Sequence, residues 1–348
     1  MTAAEHPENS GNSLERREKS RYAAPWRLSV APMMDWTDRH CRYFHRLLSP
    51  NARLYTEMVT SPALVHGDRE RLIGFDASEH PLALQLGGSD PLELAEAARI
   101  GAQFGYDEIN LNVGCPSDRV QSGRFGACLM REPALVAECF QAMRSAVSIP
   151  VTVKCRLGVD EQDEYADLQH FIEVVAAAGC AVFVVHARKA WLKGLSPKEN
   201  RDVPPLNYQR VYQLKLDFPQ LAIIINGGIE TVAEVDTHLR HTDGVMLGRT
   251  AYHEPYRLAE LDHRLFGTPL PGREAVIDRM RAYIEAHIAS GGKLQHISRH
   301  MLGLFQGLPG ARAWRRTLSE NAHRPDAGFA IVEQALRACR SQLRAEAA

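Results

Sequence analysis

Eight short segments rich in aliphatic and β-branched residues constrain the fold of this chain more than any other feature. They recur at fairly regular intervals between residues 28 and 249, and helical patterns lie between most of them. The segments are LSVAPM (28–33), LYTEMV (54–59), LALQLG (82–87), EINLNVG (108–114), VTVKCRLG (151–158), AVFVVHA (181–187), AIIINGG (222–228) and GVMLGR (244–249). Strands that alternate with helices in this way predict a (β/α)8 TIM barrel.

A doubly wound open sheet is the alternative fold. It is disfavoured because no strand is followed by a GxGxxG turn and because polar residues recur at the C-terminal ends of nearly all the strands. In a barrel those ends converge on one mouth, whereas in an open sheet they spread along an edge. The intervening segment DPLELAEAARIGAQFG predicts a helix that is capped by Asp90, has Pro91 at its first position and ends at Gly105.

The pattern changes after Leu265, where the Gly- and Pro-rich segment FGTPLPGR precedes helical patterns without strands. We therefore expect a catalytic barrel over residues 25–265 and a small all-helical domain over 266–345. Residues 1–24 are polar and predict a disordered tail without the apolar core of a signal peptide. From Leu270 onward, the sequence contains twelve Lys and Arg but only seven Asp and Glu. This excess indicates an anionic partner, although solvated arginines on an ordinary helical domain explain it equally well.

The chain contains seven cysteines, and no two of them have CxxC spacing. This argues against a disulfide framework and against a thiolate zinc site, so no metal is expected. Cysteines of this kind are typical of a reducing compartment, which predicts a cytoplasmic protein. No apolar run reaches the ~18 residues that suggest a membrane span.

Glycines follow the last two predicted strands. The seventh strand ends in Asn226, Gly227 and Gly228, and the eighth ends in Gly248 and Arg249. Glycines at these strand ends let backbone N–H groups approach an oxyanion, and an arginine adds positive charge. The pattern predicts a phosphate site; the alternative is that the glycines only form tight turns.

Lys154 and Arg156 alternate along the fifth strand, so they share one face. A lysine in a barrel mouth either forms a salt bridge, here with Glu57, or serves a ligand. Gln85 and Asn110 can both donate and accept hydrogen bonds, as the polar edge of a flat heterocycle requires. A phosphate, a planar ring and a lysine together predict FMN. Met33 and Met34 would pack on its ring, although methionines more often only fill a core.

Several segments make the chain similar to the tRNA-dihydrouridine synthases. They are APMMDWTDRHCRYFHR (31–46), LNVGCPSDRVQSGRFGACLM (111–130), VKCRLGVD (153–160), HARKAWLKGLSPKENRDVPPL (186–206) and INGGI (225–229). The resemblance covers about residues 25–321 and is strongest to the branch that modifies D-loop uridines 20 and 20a of tRNA. It implies FMN, NADPH as electron donor, and Cys115 as general acid. The implied FMN contacts are Pro32, Met33, Met34, Gln85, Lys154, His186, Asn226, Gly227, Gly228, Gly248 and Arg249.

The segment INLNVGCPSDRV at 109–120 fits that chemistry. Reduction of a uracil double bond adds a hydride at C6 and a proton at C5, and the proton donor must face the ring opposite the flavin. An ordinary thiol, with a pKa of about 8.5, is largely protonated at neutral pH and can donate. Cys115 follows a strand end, and Asn112 would hold the uracil or the adjacent backbone. The alternatives are a buried structural Cys115 and, for His186, a contact with the uracil or a core position.

A D-loop uridine must be extruded to reach a barrel floor, so contacts with the RNA must supply that free energy. Basic groups on the loop after the sixth strand and in the helical domain could provide them. The candidates for contact with the uridine or the tRNA are Asn112, Arg156, Lys198, Asn200, Arg201, Arg312, Arg315 and Arg316, with Trp314 interleaved.

Two other functions fit parts of the pattern. An FMN barrel oxidoreductase that acts on a small pyrimidine would share the phosphate site, the lysine and the cysteine, but would leave the basic helical domain unexplained. A catalytically silent tRNA-binding protein would contain no flavin. Nothing in the sequence requires more than a monomer.

Overall fold

The chain folds into a parallel β-barrel followed by a helical C-terminal region. The computed structural model describes residues 24–117 and 123–346. The strands are β1 Leu28–Val30, β2 Leu54–Tyr55, β3 Val59–Thr60, β4 Leu82–Gly87, β5 Glu108–Val113, β6 Val151–Arg156, β7 Val182–His186, β8 Ala222–Asn226 and β9 Gly244–Leu247. The predicted eight-stranded barrel is confirmed; β3 is an additional short strand that pairs with the end of β4.

The strands run parallel in the order β1-β9-β8-β7-β6-β5-β4-β2. The sheet closes between β1 and β2, where the Val30 N–H donates to the Arg53 carbonyl at 2.9 Å and the Arg53 N–H donates to the Leu28 carbonyl at 2.9 Å. Because its two ends pair, the sheet is a closed barrel, and the doubly wound alternative is excluded.

Helices surround the barrel and form the C-terminal region. They are α1 Arg39–Leu48, α2 Ser61–His66, α3 Arg69–Ile73, α4 Pro91–Phe104, α5 Pro133–Ala146, α6 Tyr165–Ala177, α7 Tyr208–Asp217, α8 Val232–His238, α9 Arg249–His253, α10 Tyr256–Phe266, α11 Arg273–Ala289, α12 Leu294–Met301, α13 Ala311–Asn321 and α14 Phe329–Glu346. The predicted caps of α4 are present, since Asp90 accepts from the Glu93 N–H at 2.8 Å and Gly105 is left-handed with φ 99°.

Side chains alternate between the two faces of each strand, so apolar residues form one cluster outside the barrel and another inside it. On β5, Ile109, Leu111 and Val113 point outward and pack under the helices. A smaller cluster, which includes Val184 and Ile224, fills the barrel interior. The remaining residues of β5, with the opposite phase, therefore face the interior and lead towards the barrel mouth.

Polar and aromatic contacts join the C-terminal helices to α1. Tyr283 of α11 stacks on Tyr43, with ring centroids 3.9 Å apart. Asp38 caps α1 and also accepts from Arg299 of α12 at 2.5 Å. The chain leaves α10 through left-handed Gly267 and enters α11 at Arg273, in the segment predicted as a linker. The division of the chain into two domains at this segment remains a prediction.

The predicted tail, residues 1–24, lies outside the described residues except for residue 24, which begins a short 3-10 helix ending at Trp26. No helix within 24–117 and 123–346 combines the length and hydropathy that a membrane crossing requires.

Candidate active site

A cavity of about 480 Å³ opens at the C-terminal ends of the strands. A parallel barrel brings these ends together whatever their separation in sequence. All twelve residues predicted for catalysis or flavin binding line the cavity, and so do three of those predicted to contact the uridine or the tRNA. They are Pro32, Met33, Met34, Gln85, Asn112, Cys115, Lys154, Arg156, His186, Arg201, Asn226, Gly227, Gly228, Gly248 and Arg249.

The glycines after β8 adopt backbone conformations that side chains disfavour. Gly227 has φ 114° and Gly228 has φ 64°, so the chain leaves the strand earlier than the sequence pattern predicted. A Cβ on Gly227 would lie 2.6 Å from the His186 ring, and one on Gly228 would lie 2.6 Å from Leu206. The positive φ at both positions, together with the close His186 ring at Gly227, favours glycine.

Gly248 and Arg249 form the other side of this end of the cavity. A Cβ built on Gly248 would meet no atom within 4 Å, so it would project into open space. Arg249 begins α9 and pairs with Asp202 at 2.7 Å. The exposed backbone and the adjacent guanidinium suit an anion such as a phosphate.

We expect Gly248→Ala to weaken flavin binding by about tenfold, because its methyl group would take up space in the cavity. The dissociation constant for FMN, measured by fluorescence titration of the flavin-free protein, checks this. Gly272→Ala is the matched control, since a Cβ there also meets open space but lies outside the cavity lining. If both variants bind FMN with equal affinity, Gly248 does not belong to the flavin site.

Lys154 is half-buried and faces the cavity from β6. Burial, reinforced by the nearby Arg156 cation, lowers the pKa of Lys154 to about 8. Within the described residues its ammonium has no hydrogen-bond or ion-pair partner. The alternative salt bridge to Glu57 is absent from that set, and the Glu57 carboxylate instead accepts from the Asp35 N–H at 2.5 Å. A cation without a partner at a cavity wall points to an anionic or polar ligand.

His186 and Asn226 occupy the ends of neighbouring strands β7 and β8. Burial and the surrounding cations, Arg156 first, lower the pKa of His186 well below its ordinary value, so its imidazole is neutral. Asn226 donates to the Met246 carbonyl at 2.7 Å, which fixes its amide at the cavity wall.

Cys115 is half-buried and lines the cavity beyond the end of β5. Its N–H donates to the Asn112 side-chain oxygen at 2.9 Å, and its carbonyl accepts from the Ala127 N–H at 2.9 Å. The backbone is therefore held on both sides of the thiol. The partial exposure of Cys115 at the cavity wall disagrees with the alternative of a fully buried structural cysteine. Of the other six cysteines, Cys128 is half-buried, and the rest are buried.

Asn112 holds the adjacent backbone, which is one of the two alternatives predicted for it. Its side-chain oxygen accepts from the N–H groups of Gly114 and Cys115, and its amide nitrogen donates to Gln85 at 2.8 Å. It therefore holds the adjacent backbone. Among the described residues the second N–H of the amide has no partner, so it can donate to a ligand in the cavity.

Two residues proposed to contact the uridine or the tRNA hold loops in place. Arg156 is buried and donates to the carbonyls of Gly114, Lys189 and Asn200, at 2.8, 2.9 and 2.9 Å. The Asn200 side chain is wholly buried and bonds to the loop backbone, including the Trp191 N–H at 2.8 Å. Asn200 has no surface for RNA in this structure, which corrects that part of the prediction. Lys198 and Arg201 are exposed, and Arg201 reaches the cavity rim.

The arginines of α13 are accessible, but the aromatic residue among them is not. Arg312 and Arg316 are exposed, whereas Arg315 is half-buried and donates to Gln306. Trp314 is fully buried and donates to the Met301 carbonyl at 3.0 Å. It therefore cannot stack on RNA bases as the sequence pattern suggested.

Trp36 is a cavity residue that sequence reasoning missed. It lines the rim and stacks on Tyr252 of α9, with ring centroids 4.4 Å apart. Its proximity to Met33 and Met34 in the sequence was the available signal.

Comparisons with known proteins match this chain over nearly its whole length. The family model described as dihydrouridine synthase matches residues 29–341. The tRNA-dihydrouridine(20/20a) synthase of Xanthomonas axonopodis pv. citri is 64% identical over 316 residues, which is 91% of this chain and 95% of the relative. The proteins of that name from Shewanella oneidensis and Vibrio cholerae are each 62% identical, over 91% and 89% of this chain and 95% of each relative.

Proposed function

Because the chain belongs to the dihydrouridine synthase family, we propose that it reduces uridine in tRNA to 5,6-dihydrouridine. We further propose that FMN is the bound cofactor, that NADPH is the electron donor, and that D-loop positions 20 and 20a of tRNA are the targets. The relatives' names support those positions. One structural observation carries the proposal: a single cavity is lined by the Cys115 thiol, by Lys154, which has no partner among the described residues, and by the glycines after β8 and β9.

The residues around the cavity fit FMN on three counts. Gly227, Gly228 and Gly248 line one end of the cavity, where their backbone N–H groups would hold a phosphate, and Arg249 would add positive charge. Lys154 supplies a cation for the electron-rich edge of a reduced ring. Met33 and Met34 offer soft apolar contact at the rim. When bound and reduced by NADPH, the flavin supplies a hydride to C6 of the uracil.

Cys115 supplies the matching proton. Its thiol donates to C5 as the C5–C6 double bond is consumed, and solvent reprotonates the thiolate afterwards. The backbone on both sides of Cys115 is fixed, and the residue lines the cavity. The second N–H of the Asn112 amide would donate to a uracil carbonyl.

The tRNA must present its uridine in an extruded form, because the reactive residues lie in a cavity. We assign the compensating contacts to exposed basic residues of two elements. Lys198 and Arg201 lie on the loop after β7, and Arg312 and Arg316 lie on α13. Arg156 and Asn200 act indirectly, by holding the loop that carries Lys198 and Arg201.

We expect replacement of Arg312 and Arg316 by alanine to weaken tRNA binding and to lower its salt dependence. Each lost phosphate contact should reduce the slope of log K against log salt by roughly 1. The matched control replaces Arg281 and Arg340, which are also exposed arginines of the C-terminal region but are paired with Glu333 and Glu274. Gel-shift titrations at several salt concentrations check this, and equal slopes for both double variants would place the RNA elsewhere.

The test of the proposed function combines the purified protein with NADPH and an unmodified tRNA transcript. We expect a yellow preparation and dihydrouridine at positions 20 and 20a, located by mass spectrometry of nuclease fragments. Reduction of free uridine or uracil with no reaction on tRNA would favour the small-pyrimidine oxidoreductase. A colourless protein that binds tRNA would favour the silent binding protein. A monomeric state and a cytoplasmic location complete the proposal.

A further inference from the structure

A chain of hydrogen bonds rises through the barrel interior from a buried carboxylate. The Thr152 hydroxyl donates to Glu108 at 2.5 Å, and the Asn110 amide donates to the Thr152 oxygen at 2.8 Å. The Gln85 amide donates to the Asn110 oxygen at 2.8 Å, and the Asn112 amide donates to the Gln85 oxygen at 2.8 Å. Glu108, Thr152 and Asn110 have no exposed surface and do not line the cavity.

The groups at the two ends of this hydrogen-bond chain fix which partner donates and which accepts in every bond between them. At the top, the N–H groups of Gly114 and Cys115 can only donate, and both donate to the Asn112 oxygen. At the bottom, an ionised Glu108 can only accept. A primary amide can be flipped end for end, but a flip anywhere between these ends would oppose donor to donor or acceptor to acceptor. Every amide in the chain therefore has one favoured orientation.

Glu108 is itself held firmly as an acceptor. Trp26 donates to it at 2.6 Å, Tyr55 donates at 2.7 Å, and Arg53 pairs with it at 3.3 Å. Burial, and then the Glu108 charge, raise the pKa of Tyr55 well above its ordinary value, so its hydroxyl keeps the proton that it donates. The lower end of the chain therefore resists reversal.

We propose that Glu108, Thr152 and Asn110 are positioning residues for Cys115, acting through Gln85 and Asn112. The inference rests on the proposed function of Cys115 as proton donor. The carboxylate at the barrel floor sets the amide orientation of Asn112, and Asn112 holds the backbone of the thiol-bearing loop. Each side chain of this buried series is held by both of its neighbours, and the series ends at the backbone of the reactive residue.

Thr152→Val tests the proposal because valine keeps the shape of threonine and removes its hydroxyl. The Asn110 amide then loses its acceptor, and Glu108 loses one donor. We expect the single-turnover rate of dihydrouridine formation on bound tRNA to fall by about tenfold. The dissociation constant for tRNA and the rate of flavin reduction by NADPH should stay near wild type. Thr152→Ser, which restores the hydroxyl, should recover most of the lost rate.

Alkylation of Cys115 by iodoacetamide, followed by peptide mass spectrometry without tRNA, gives a readout independent of turnover. We expect its rate to change in Thr152→Val and to return in Thr152→Ser, while half-buried Cys128 in the same protein stays constant. Thr152→Ala replaces the valine variant if that variant does not fold. Wild-type turnover and wild-type Cys115 alkylation in the folded variant would overturn the proposal. A wild-type protein that makes no dihydrouridine would instead refute the proposed function.

Discussion

Cys115→Ala should retain FMN and lose dihydrouridine formation by a factor of about 10²–10⁴, the usual contribution of a positioned general acid. The Cys115 thiol lines the cavity while its backbone is fixed by Asn112 and Ala127. Alanine keeps this backbone and removes only the proton donor. Flavin binding should persist, because the predicted phosphate site and Lys154 lie on other strand ends.

The measurement is an anaerobic single turnover of the prereduced protein with excess unmodified tRNA, followed by quantification of dihydrouridine. Cys128→Ala is the matched control, since Cys128 is the other half-buried cysteine and donates to the Phe125 carbonyl at 3.1 Å in the same segment. We expect the control to react like wild type. A Cys115→Ala protein that forms dihydrouridine at the wild-type rate would remove the thiol from the mechanism.

Lys154→Met should lower flavin affinity or slow flavin oxidation by tRNA, by about a hundredfold. Methionine keeps much of the length of lysine but removes the charge. Within the described residues, no carboxylate forms an ion pair with Lys154, so the substitution strands no buried anion there. Flavin content after purification and the single-turnover rate measure the two effects separately. Unchanged values for both would exclude Lys154 from the site.

The lowered pKa of Lys154 gives this prediction a pH signature. The ammonium is charged below its pKa of about 8 and loses its charge as the pH rises through that value. The affinity of the flavin-free protein for FMN should therefore decrease above pH 8. Lys154→Arg keeps a positive charge to much higher pH and should remove this decrease. The same pH dependence in both proteins would assign it to another group.

The strands and their polar ends could be predicted because two local signals agreed. Runs such as AIIIN predict buried strands, and Asn226 with the two glycines after it indicates a polar strand end. The exact bound was not predicted, because the positive φ of Gly227 and Gly228 ends β8 before residue 228. Barrel closure then brings Cys115, Lys154 and Gly248 to one cavity without further information from the sequence. The additional strand β3 has only two residues. The run 54–59 includes the first of them and gives no separate signal for a second strand.

The exposure of the residues proposed to bind RNA was harder to predict because it depends on tertiary contacts. Asn200 is buried since its amide satisfies backbone groups of its own loop, and loop conformation has no periodic signal. Trp314 is different: Ala311, Trp314 and Leu318 have helical spacing and form the buried face of α13. Its burial could have been predicted from that period, which outweighs the neighbouring arginines.

We propose that Cys115 and the flavin face opposite sides of one extruded uracil. A crystal structure of the FMN-loaded protein with unmodified tRNA tests it most directly. We expect the Cys115 sulfur at about 3–3.5 Å from uracil C5, on the face away from the isoalloxazine ring. A sulfur on the flavin side of the base, or one too far away to reach C5, would contradict the account.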